Sequence, residues 1–421
     1  MTRLIQVFEH EKLTLHEDAS GRKLDSRELA SLYDFNDRND HKYFTGIRDG
    51  VKFTNYVGVI QVGGLTIEIL PKSDRDSNGL NDYHIWHRVL LDMLRICQKI
   101  NVNAVSESNL RRRHHSILDL YFELYLDEVE QLMRQGLVKK YRRQADNASS
   151  LKGQLLFAQQ IQKNLIHQER FFTKHQVYDQ ENLVNQILLE GLYAIADFTR
   201  SPEMSQRCAQ LIAFFPTRTR NRISEQHFNR LGEDRTLSRY QRALNIARML
   251  LLNYAPDIHS GKERMLALLF DMNALWEEYV YRMLMRVTSP EIQVKPQQRK
   301  KFWNSKVIKP DIVVTRNISA REEMFVIDTK WKVLDARYPK PSDDDLKQMF
   351  VYNEYWSAAQ SMLLYPTTYE REEVLGHYWS QDTTNKIHAC KLAFVSVLND
   401  DGELNLHVGR SILSKLQSVS H

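Results

Sequence analysis

Two aspartates and one lysine in the C-terminal third of the chain have the types and spacing for metal-assisted phosphodiester hydrolysis. Asp311 precedes one apolar, β-branched run, and Asp328 and Lys330 follow another. Residues two apart on a strand point to the same face, so a hairpin would gather all three groups. Mg²⁺ or Mn²⁺ prefers the oxygen ligands that Asp311 and Asp328 offer. Lys330 would position water or stabilise charge developing on the phosphate.

The context of this pattern matters, because an Asp-x-Lys triplet by itself is a weak signal. A second triplet, Asp345-Leu346-Lys347, lies on a predicted helix, where residues two apart do not face the same way. The first triplet is favoured by the hydrophobic strand before it and by the Pro-Asp upstream. The alternative is a surface hairpin whose ends happen to be charged.

Three further polar residues could support this site. Glu277 lies on a predicted upstream helix and would be a third acid and metal ligand beside Asp311 and Asp328. Gln348 and Tyr352 are four apart on a later predicted helix and share one face, where they could contact a phosphate or brace the catalytic groups. The alternatives are a solvated glutamate and a half-buried tyrosine beside a solvated glutamine.

Four clusters of basic residues fit a polyanionic partner, although the net charge of the whole chain is only +5. The fourth lies just before Asp311 and is the predicted DNA-binding segment. A solvated surface is an equally good interpretation of any single cluster. The first three clusters are residues 111–115, residues 139–143, and Arg218 with Arg220 and Arg222; the fourth, residues 295–303, includes Lys295, Arg299, Lys300 and Lys301.

The bulk sequence indicates a multidomain protein of a reducing compartment. Its 421 residues suggest two or three domains. Cys97, Cys208 and Cys390 are scattered and form neither a disulfide framework nor a zinc motif. The first residues lack the apolar run of a signal peptide, and no apolar run approaches the ~20 residues of a membrane span. We therefore expect a cytoplasmic protein without a membrane partner.

The apolar patterning predicts an α/β (α+β) multidomain fold in three parts. Residues 1–110 form a β-rich domain, residues 111–260 a helical region with basic patches, and residues 261–421 a mixed sheet flanked by helices. In the first domain, residues 65–70 alternate as a strand with one wet face, Gly63-Gly64 forms a hairpin turn, and residues 34–42 form a surface loop. In the third, the predicted elements are helices at 263–287 and 343–359, and strands at 308–314, 325–327 and 392–397.

These motifs resemble the McrC family, the nuclease subunits of McrBC-type modification-dependent restriction systems, which belong to the PD-(D/E)xK nuclease superfamily. The resemblance covers most of the chain, but Trp276 stands where the family more often has Phe, and residues 1–45 match poorly. It rests on residues 56–72, on Gly136-Leu137, Tyr141 and Leu151-Lys152-Gly153, on residues 178–189 and 270–277, on Pro310-Asp311 and Asp328-Thr329-Lys330, and on Gln348 with Tyr352.

The resemblance implies a restriction-endonuclease-like fold for residues 261–421 and Mg²⁺-dependent DNA cleavage. It also implies an McrB-like AAA+ GTPase ring as partner. The N-terminal domain would dock on this ring and stimulate its GTP hydrolysis, and we expect residues 34–42 to take part in the docking. The target would be modified double-stranded DNA, often carrying methylated cytosine, which the partner reads. The chain has no phosphate-binding GxxxxGK[ST] loop, so it is expected to bind no nucleotide itself.

Two other functions deserve comparison with this one. A stand-alone RecB-like or Cas4-like nuclease would share the acids, the lysine and the Gln-x-x-x-Tyr pair. Such enzymes often carry a cysteine-ligated iron–sulfur cluster, which three scattered cysteines do not support. A non-catalytic scaffold for an AAA+ partner would have no use for two neighbouring acids, which repel each other without a cation.

Overall fold

In the computed structural model, the chain divides into two compact units, one of residues 1–101 with 269–421 and the other of residues 102–268. These limits lie near the boundaries predicted at 110 and 260, and the predicted first and third domains belong to the same unit. The structure describes residues 3–72, 80–99, 116–216, 219–232, 235–255, 265–318, 321–335, 338–358, 360–379 and 388–416.

The N-terminal part of the first unit contains a sheet in the order β1–β6–β5. β5 and β6 form the predicted hairpin around Gly63-Gly64, with Val62 opposite Leu65, and β1 runs parallel to β6. β2, β4 and β3 form a second, antiparallel sheet. The elements are β1 Arg3–Phe8, β2 Lys12–Thr14, α1 Ser26–Arg38, β3 Phe44–Ile47, β4 Gly50–Phe53, β5 Tyr56–Val62, β6 Leu65–Leu70 and α2 Leu80–Ile96.

Two predictions for this part are wrong. β6 has no wet face: Glu68 is only 1% exposed, because β6 lies between two strands, and its carboxylate accepts a hydrogen bond from Gln6 Nε2 at 2.9 Å. Residues 34–38 belong to α1 rather than to a loop. A reciprocal capping box between Asp25 and Glu28 starts this helix, and its buried apolar face extends to Phe35.

The second unit contains helices and a small antiparallel sheet, β7–β9–β8. The three long helices predicted here are present, but the sheet was not predicted. β7 is almost entirely polar, so it lacks the apolar alternation that identifies a strand in sequence. The elements are α3 Ile117–Arg134, β7 Lys140–Ala148, β8 Gln154–Leu155, α4 Phe157–Asn164, β9 Phe171–Asp179, α5 Leu183–Phe198, α6 Pro202–Ala213, α7 Glu225–Asn229, a 3₁₀ helix Arg235–Tyr240, α8 Gln241–Leu252, β10 Tyr254–Ala255 and β11 Met265–Asp271. The division of the chain falls within β11, between residues 268 and 269.

The C-terminal part of the first unit is a six-stranded mixed sheet in the order β12–β15–β16–β17–β19–β18. β16, β17 and β19 are parallel to one another, and the other neighbours are antiparallel. This confirms the predicted mixed sheet with flanking helices. The elements are α9 Met272–Met285, β12 Ile292–Pro296, β13 Lys300–Trp303, β14 Lys306–Ile308, β15 Ile312–Ile318, β16 Arg321–Thr329, α10 Asp343–Trp356, β17 Gln360–Thr367, β18 Val374–His377, β19 Ala389–Ser396 and α11 Val408–Lys415.

The helix predicted at 263–287 begins later than expected. Residues 265–271 form β11, and α9 begins only at Met272, where Asp271 Oδ1 accepts hydrogen bonds from the backbone N–H groups of Asn273 and Ala274. An uninterrupted apolar run fits a buried strand as well as a helix, so periodicity could not separate the two. Asp271 is the local signal that marks the true start.

Helix α10 covers one face of the mixed sheet and shapes the end where the candidate site lies. Met349, Tyr352 and Trp356 from the helix pack with Val313 of β15 and Val326 of β16 in one buried cluster. The helix also forms the crossover that two adjacent parallel strands, β16 and β17, require. None of the helices in the described ranges is long and apolar enough to cross a membrane.

Candidate active site

The antiparallel pairing of β15 with β16 places Asp311 and Asp328 at one end of the sheet. Ile312 lies opposite Ile327, so the two acids are neighbours where the strands begin and end. Each is two residues from a valine of the cluster beneath α10, Val313 or Val326, and therefore faces the same side of the sheet. The register thus produces the pairing of carboxylates that the sequence spacing predicted.

The carboxylate of Asp311 is held in one orientation by Thr329. Its Oδ2 accepts hydrogen bonds from Thr329 N at 2.7 Å and from Thr329 Oγ1 at 2.9 Å. Burial raises the pKa of Asp311, and these two bonds partly oppose the rise. The threonine between Asp328 and Lys330 therefore has a positioning contact that the sequence analysis did not identify.

Asp328 and Lys330 form an ion pair at the end of β16. Lys330 Nζ lies 2.6 Å from Asp328 Oδ2, and Asp328 is only 2% exposed. Burial and the nearby charge of Asp311 raise the pKa of Asp328 to about 7 despite the lysine. Burial alone would lower the pKa of Lys330, but the carboxylates of Asp328 and Asp345 raise it above its ordinary value, so the ammonium stays charged.

Asp345 is a site neighbour that the sequence analysis missed. Its Oδ1 lies 3.3 Å from Lys330 Nζ, and its backbone N–H is capped by Ser342 Oγ in the first turn of α10. In the sequence, Asp345 belongs to the second, less favourable Asp-x-Lys triplet. The available signal was its place in the first turn of a helix that follows β16.

Glu277 lies near Asp311, on α9. Its Oε1 accepts a hydrogen bond from Gln297 Nε2 at 2.6 Å. Burial raises the pKa of Glu277, and the charge of Asp311 raises it further. Glu277 is therefore close enough to sense the charge of the Asp311 carboxylate.

The donor set fits a magnesium ion held by few protein ligands. Among the described residues, no three histidine, cysteine or acidic side chains are grouped to surround a metal together. Magnesium usually takes only one or two carboxylates and completes its shell with water and phosphate. Two adjacent carboxyls with raised pKa values suit such a cation, because it relieves their mutual repulsion.

Gln348 and Tyr352 brace the backbone beside Asp311. Gln348 Nε2 donates to the Tyr352 hydroxyl at 2.7 Å, and this hydroxyl donates to the carbonyl oxygen of Lys309 at 2.9 Å. Burial raises the pKa of Tyr352 to about 12. Of the two roles considered from sequence, phosphate contact and bracing, the geometry favours bracing.

Trp331, two residues after β16, contacts Glu9, the residue that follows β1 near the start of the chain. Its indole Nε1 donates to Glu9 Oε1 at 2.6 Å, and its ring packs edge to face against Trp276 at 5.4 Å between centroids. Glu9 is 4% exposed and also accepts the backbone N–H of Lys72 at 2.9 Å. This contact links residues 1–101 to the residue that directly follows Lys330.

The buried Glu9 predicts a pH-dependent stability difference. Burial raises its pKa to about 7 from an ordinary value of 4.5. The folded state favours the protonated carboxyl of Glu9. Its contribution to the free energy of unfolding is therefore fully present below pH 4.5 and is lost as the pH rises through 7. We expect Glu9→Gln, which keeps the acceptor oxygen, to stabilise the chain at pH 8 by at most about 3 kcal/mol and to have little effect near pH 5.

Urea unfolding of both proteins at the two pH values, without added metal, measures this difference. The largely exposed Glu17 provides the control as Glu17→Gln, which should not change the pH dependence. Identical pH dependence of wild type and Glu9→Gln would show that Glu9 ionises as an ordinary carboxyl.

The basic residues predicted to bind DNA differ in their surroundings. Lys295, Arg299 and Lys301 are exposed, whereas Lys300 Nζ donates to the carbonyl oxygen of Tyr355 at 2.6 Å and lies over the Trp356 ring. The other clusters are only partly described. Residues 111–115 and Arg218 lie outside the described residues, Arg220 pairs with Asp197, and Arg142 pairs with Asp179 and Glu181.

The three cysteines are free and buried. Burial raises the pKa of each thiol, so none is activated as a thiolate. Their separate burial agrees with the prediction that they form no disulfide framework.

Comparison with known proteins agrees with the motifs. The model of the family described as "McrBC 5-methylcytosine restriction system component" matches residues 51–366, which is more than half of the chain. No curated protein sequence matches.

Two solved structures match this chain, and the first of them shows the likeness of the fold. One is described as a refined half-complex from a tetradecameric assembly of Thermococcus gammatolerans McrB AAA+ hexamers with bound McrC; the match has a TM-score of 0.68 at 19% identity and covers 98% of this chain and 100% of that chain. The other, a cryo-EM structure of the McrBC complex from the same organism, matches with a TM-score of 0.49 at 19% identity, over 67% of this chain and 87% of that chain. The family match confirms the resemblance found in the sequence: the chain belongs to the McrBC family of 5-methylcytosine restriction system components.

Proposed function

We propose that this chain is the DNA endonuclease subunit of a GTP-dependent, modification-dependent restriction complex. The observation that carries the proposal is the convergence of Asp311, Asp328 and Lys330 at one end of a mixed sheet, in a chain of this family. The reaction is hydrolysis of a DNA phosphodiester by water, without a covalent enzyme intermediate.

Asp311 and Asp328 are the proposed ligands for Mg²⁺ or Mn²⁺. Glu277, predicted as a third ligand, lies near Asp311 but does not group with the two aspartates around one metal in the described residues. When bound, the metal would supply charge neutralisation at the phosphate and an acidified water. Thr329 keeps the Asp311 carboxylate in a fixed orientation. Lys330 keeps a positive charge at the same point, where it stabilises the negative charge that develops as the bond to phosphorus breaks.

Lys295, Arg299, Lys300 and Lys301 are the proposed contacts to the DNA backbone. Lys295 lies in β12 and the other three lie in the segment that joins β12 to Asp311, so a bound backbone would lie beside the two carboxylates. Positive charge of this kind supplies salt-dependent affinity without sequence recognition. Recognition of a modified base is assigned to the partner.

The proposed partner is an AAA+ GTPase ring like the McrB hexamers named in the description of the Thermococcus structure. This chain would bind no nucleotide itself, because its sequence has no GxxxxGK[ST] loop. Residues 1–110 are the proposed docking domain that stimulates GTP hydrolysis. The helix–turn segment at residues 34–42 stays a candidate contact, now as the end of α1 and the turn after it.

Plasmid cleavage tests this function. Plasmid DNA with methylated or unmodified cytosine is incubated with the chain and Mg²⁺, with and without the AAA+ partner and GTP. We expect cleavage of methylated plasmid only when partner and GTP are both present, together with faster GTP hydrolysis. Cleavage by the chain alone would favour a stand-alone nuclease, and stimulated GTP hydrolysis without cleavage of either plasmid would favour a scaffold.

A further inference from the structure

A two-stranded ribbon leaves the sheet directly beside the candidate site. β13 and β14 pair with each other and with no other strand of the described chain. The ribbon is inserted between β12 and Asp311, and its first connecting residue, Gln297, donates its backbone N–H to the Asp311 carbonyl oxygen at 2.9 Å. The base of the ribbon is therefore part of the site.

The inner side of the ribbon is fixed to the C-terminal end of α10. Lys300 Nζ bonds to the Tyr355 carbonyl, and the Phe302 ring lies 5.6 Å from the Tyr355 ring between centroids. Trp356 Nε1 donates to Gln298 Oε1 at 3.1 Å. These contacts hold the ribbon in one position relative to the sheet.

The outer side of the ribbon exposes a tryptophan between lysines. Trp303 is 66% exposed and lies opposite Lys306, and Lys301 lies opposite Val307, which is 52% exposed. The pairing shifts by one residue between Lys301 and Trp303, so the ribbon is bulged at this point. Asn304, with φ of +48°, makes the tight turn that joins the strands. Within the described ranges, the side chains of Lys301, Trp303 and Lys306 make no hydrogen bond, ion pair or ring contact.

The charge of this segment indicates what covers it. Residues 295–309 contain six basic and no acidic residues, so the exposed tryptophan lies in a strongly positive surface. A protein surface with this charge suits a polyanion, and a two-stranded ribbon has the width to enter a DNA groove. Aromatic side chains in such elements gain energy by stacking on bases or by wedging between base steps.

We infer that the β13–β14 ribbon enters a groove of the DNA beside the scissile phosphate, with Trp303 packed against the bases and Lys301 and Lys306 on flanking phosphates. This inference rests on the proposed nuclease function. It adds a non-electrostatic DNA contact that would hold the duplex in register with Asp311 and Asp328.

The salt dependence of DNA binding separates the roles of these residues. The full-length chain is titrated against a fluorescein-labelled 30-base-pair duplex over a series of salt concentrations, with Ca²⁺ replacing Mg²⁺ to suppress cleavage. We expect Trp303→Ala to weaken binding about 10-fold or more without changing the slope of log Kd against log salt. Lys301→Ala and Lys306→Ala should each reduce that slope by about 1.

The matched control is Trp379→Ala, because Trp379 is fully exposed elsewhere in the chain and should bind as wild type does. Trp303→Phe should restore most of the affinity, since it keeps an aromatic face. Equal binding by Trp303→Ala and wild type, in a chain whose cleavage depends on Lys330, would overturn this inference alone. A Trp303→Ala protein that binds DNA normally but elutes as a smaller species on gel filtration would also overturn it, in favour of a contact between copies. Failure of the wild-type chain to bind any duplex would also overturn this inference, whereas the proposed function is decided separately by plasmid cleavage with the partner and GTP.

Discussion

Replacing Lys330 with alanine is expected to reduce DNA cleavage by about 1,000-fold while leaving the fold and partner binding intact. This is the largest effect that we expect. Its size corresponds to the loss of one preorganised positive charge that stabilises the transition state. The ammonium lies 2.6 Å from Asp328 and 3.3 Å from Asp345, so it is held at the point where the two strands present their acids. An alanine cannot replace either its charge or its hydrogen bonds.

The measurement is single-turnover cleavage of methylated plasmid in the presence of Mg²⁺, GTP and the partner. The control is Lys347→Ala, which alters the other Asp-x-Lys triplet: the Lys347 side chain is 76% exposed and pairs only weakly, with Asp344 at 3.7 Å. We expect Lys347→Ala to cleave as wild type does, and both variants to stimulate the partner's GTP hydrolysis. Unimpaired cleavage by Lys330→Ala would move the active site elsewhere in the chain.

Asp328→Asn has two opposite effects, one on activity and one on stability. Burial and the charge of Asp311 raise the pKa of Asp328 to about 7 from its ordinary 3.8. The folded state favours the protonated carboxyl of Asp328. Its contribution to the free energy of unfolding is therefore present below pH 3.8 and is lost as the pH rises through 7. At pH 8 without metal, the neutral asparagine should stabilise the chain by roughly 2 to 4 kcal/mol, while cleavage is lost.

Thermal unfolding at pH 8, with and without Mg²⁺, tests the expected change in stability of Asp328→Asn. Metal bound to the folded state stabilises it by about 2.7 kcal/mol at a concentration 100 times its dissociation constant. We expect this increase in wild type and its loss in Asp328→Asn. Asp344→Asn is the control, because that side chain is 95% exposed. A destabilised Asp328→Asn protein that still gains stability from Mg²⁺ would show that Asp328 is not a metal ligand.

Much of the candidate site was predictable because its residues lie on short stretches with one strong local pattern. Apolar β-branched runs predicted β15 and β16, and the two-residue spacing put Asp328 and Lys330 on one face. Asp345 was missed because its approach to Lys330 depends on where α10 returns across the sheet. The Trp331 contact with Glu9 joins residues more than 300 positions apart, and no local pattern indicates such a pair.

The errors in the fold follow from the same limit. β7 was missed because its polar residues carry no apolar alternation, and the start of α9 was misplaced because a continuous apolar run fits both a helix and a strand. Glu68 was predicted to be solvent-exposed because the alternation of polar and apolar residues shows only which side chains are polar. Burial depends on which strands and helices pack around a residue.

The amino-acid sequence by itself determined the family and the mixed α/β character of the C-terminal part, and it predicted the two acids and the lysine of the candidate site. Each depends on residue type and on short local patterns in the chain. Tertiary structure alone decided the contacts of these groups and of their neighbours. Thr329 bonds to Asp311, and Asp345 pairs with Lys330. Tyr352 bonds to the Lys309 carbonyl, and Trp331 bonds to Glu9. The physical reason is that such contacts are set by strand register and by helix packing across the sheet, which arise only when distant segments are brought together.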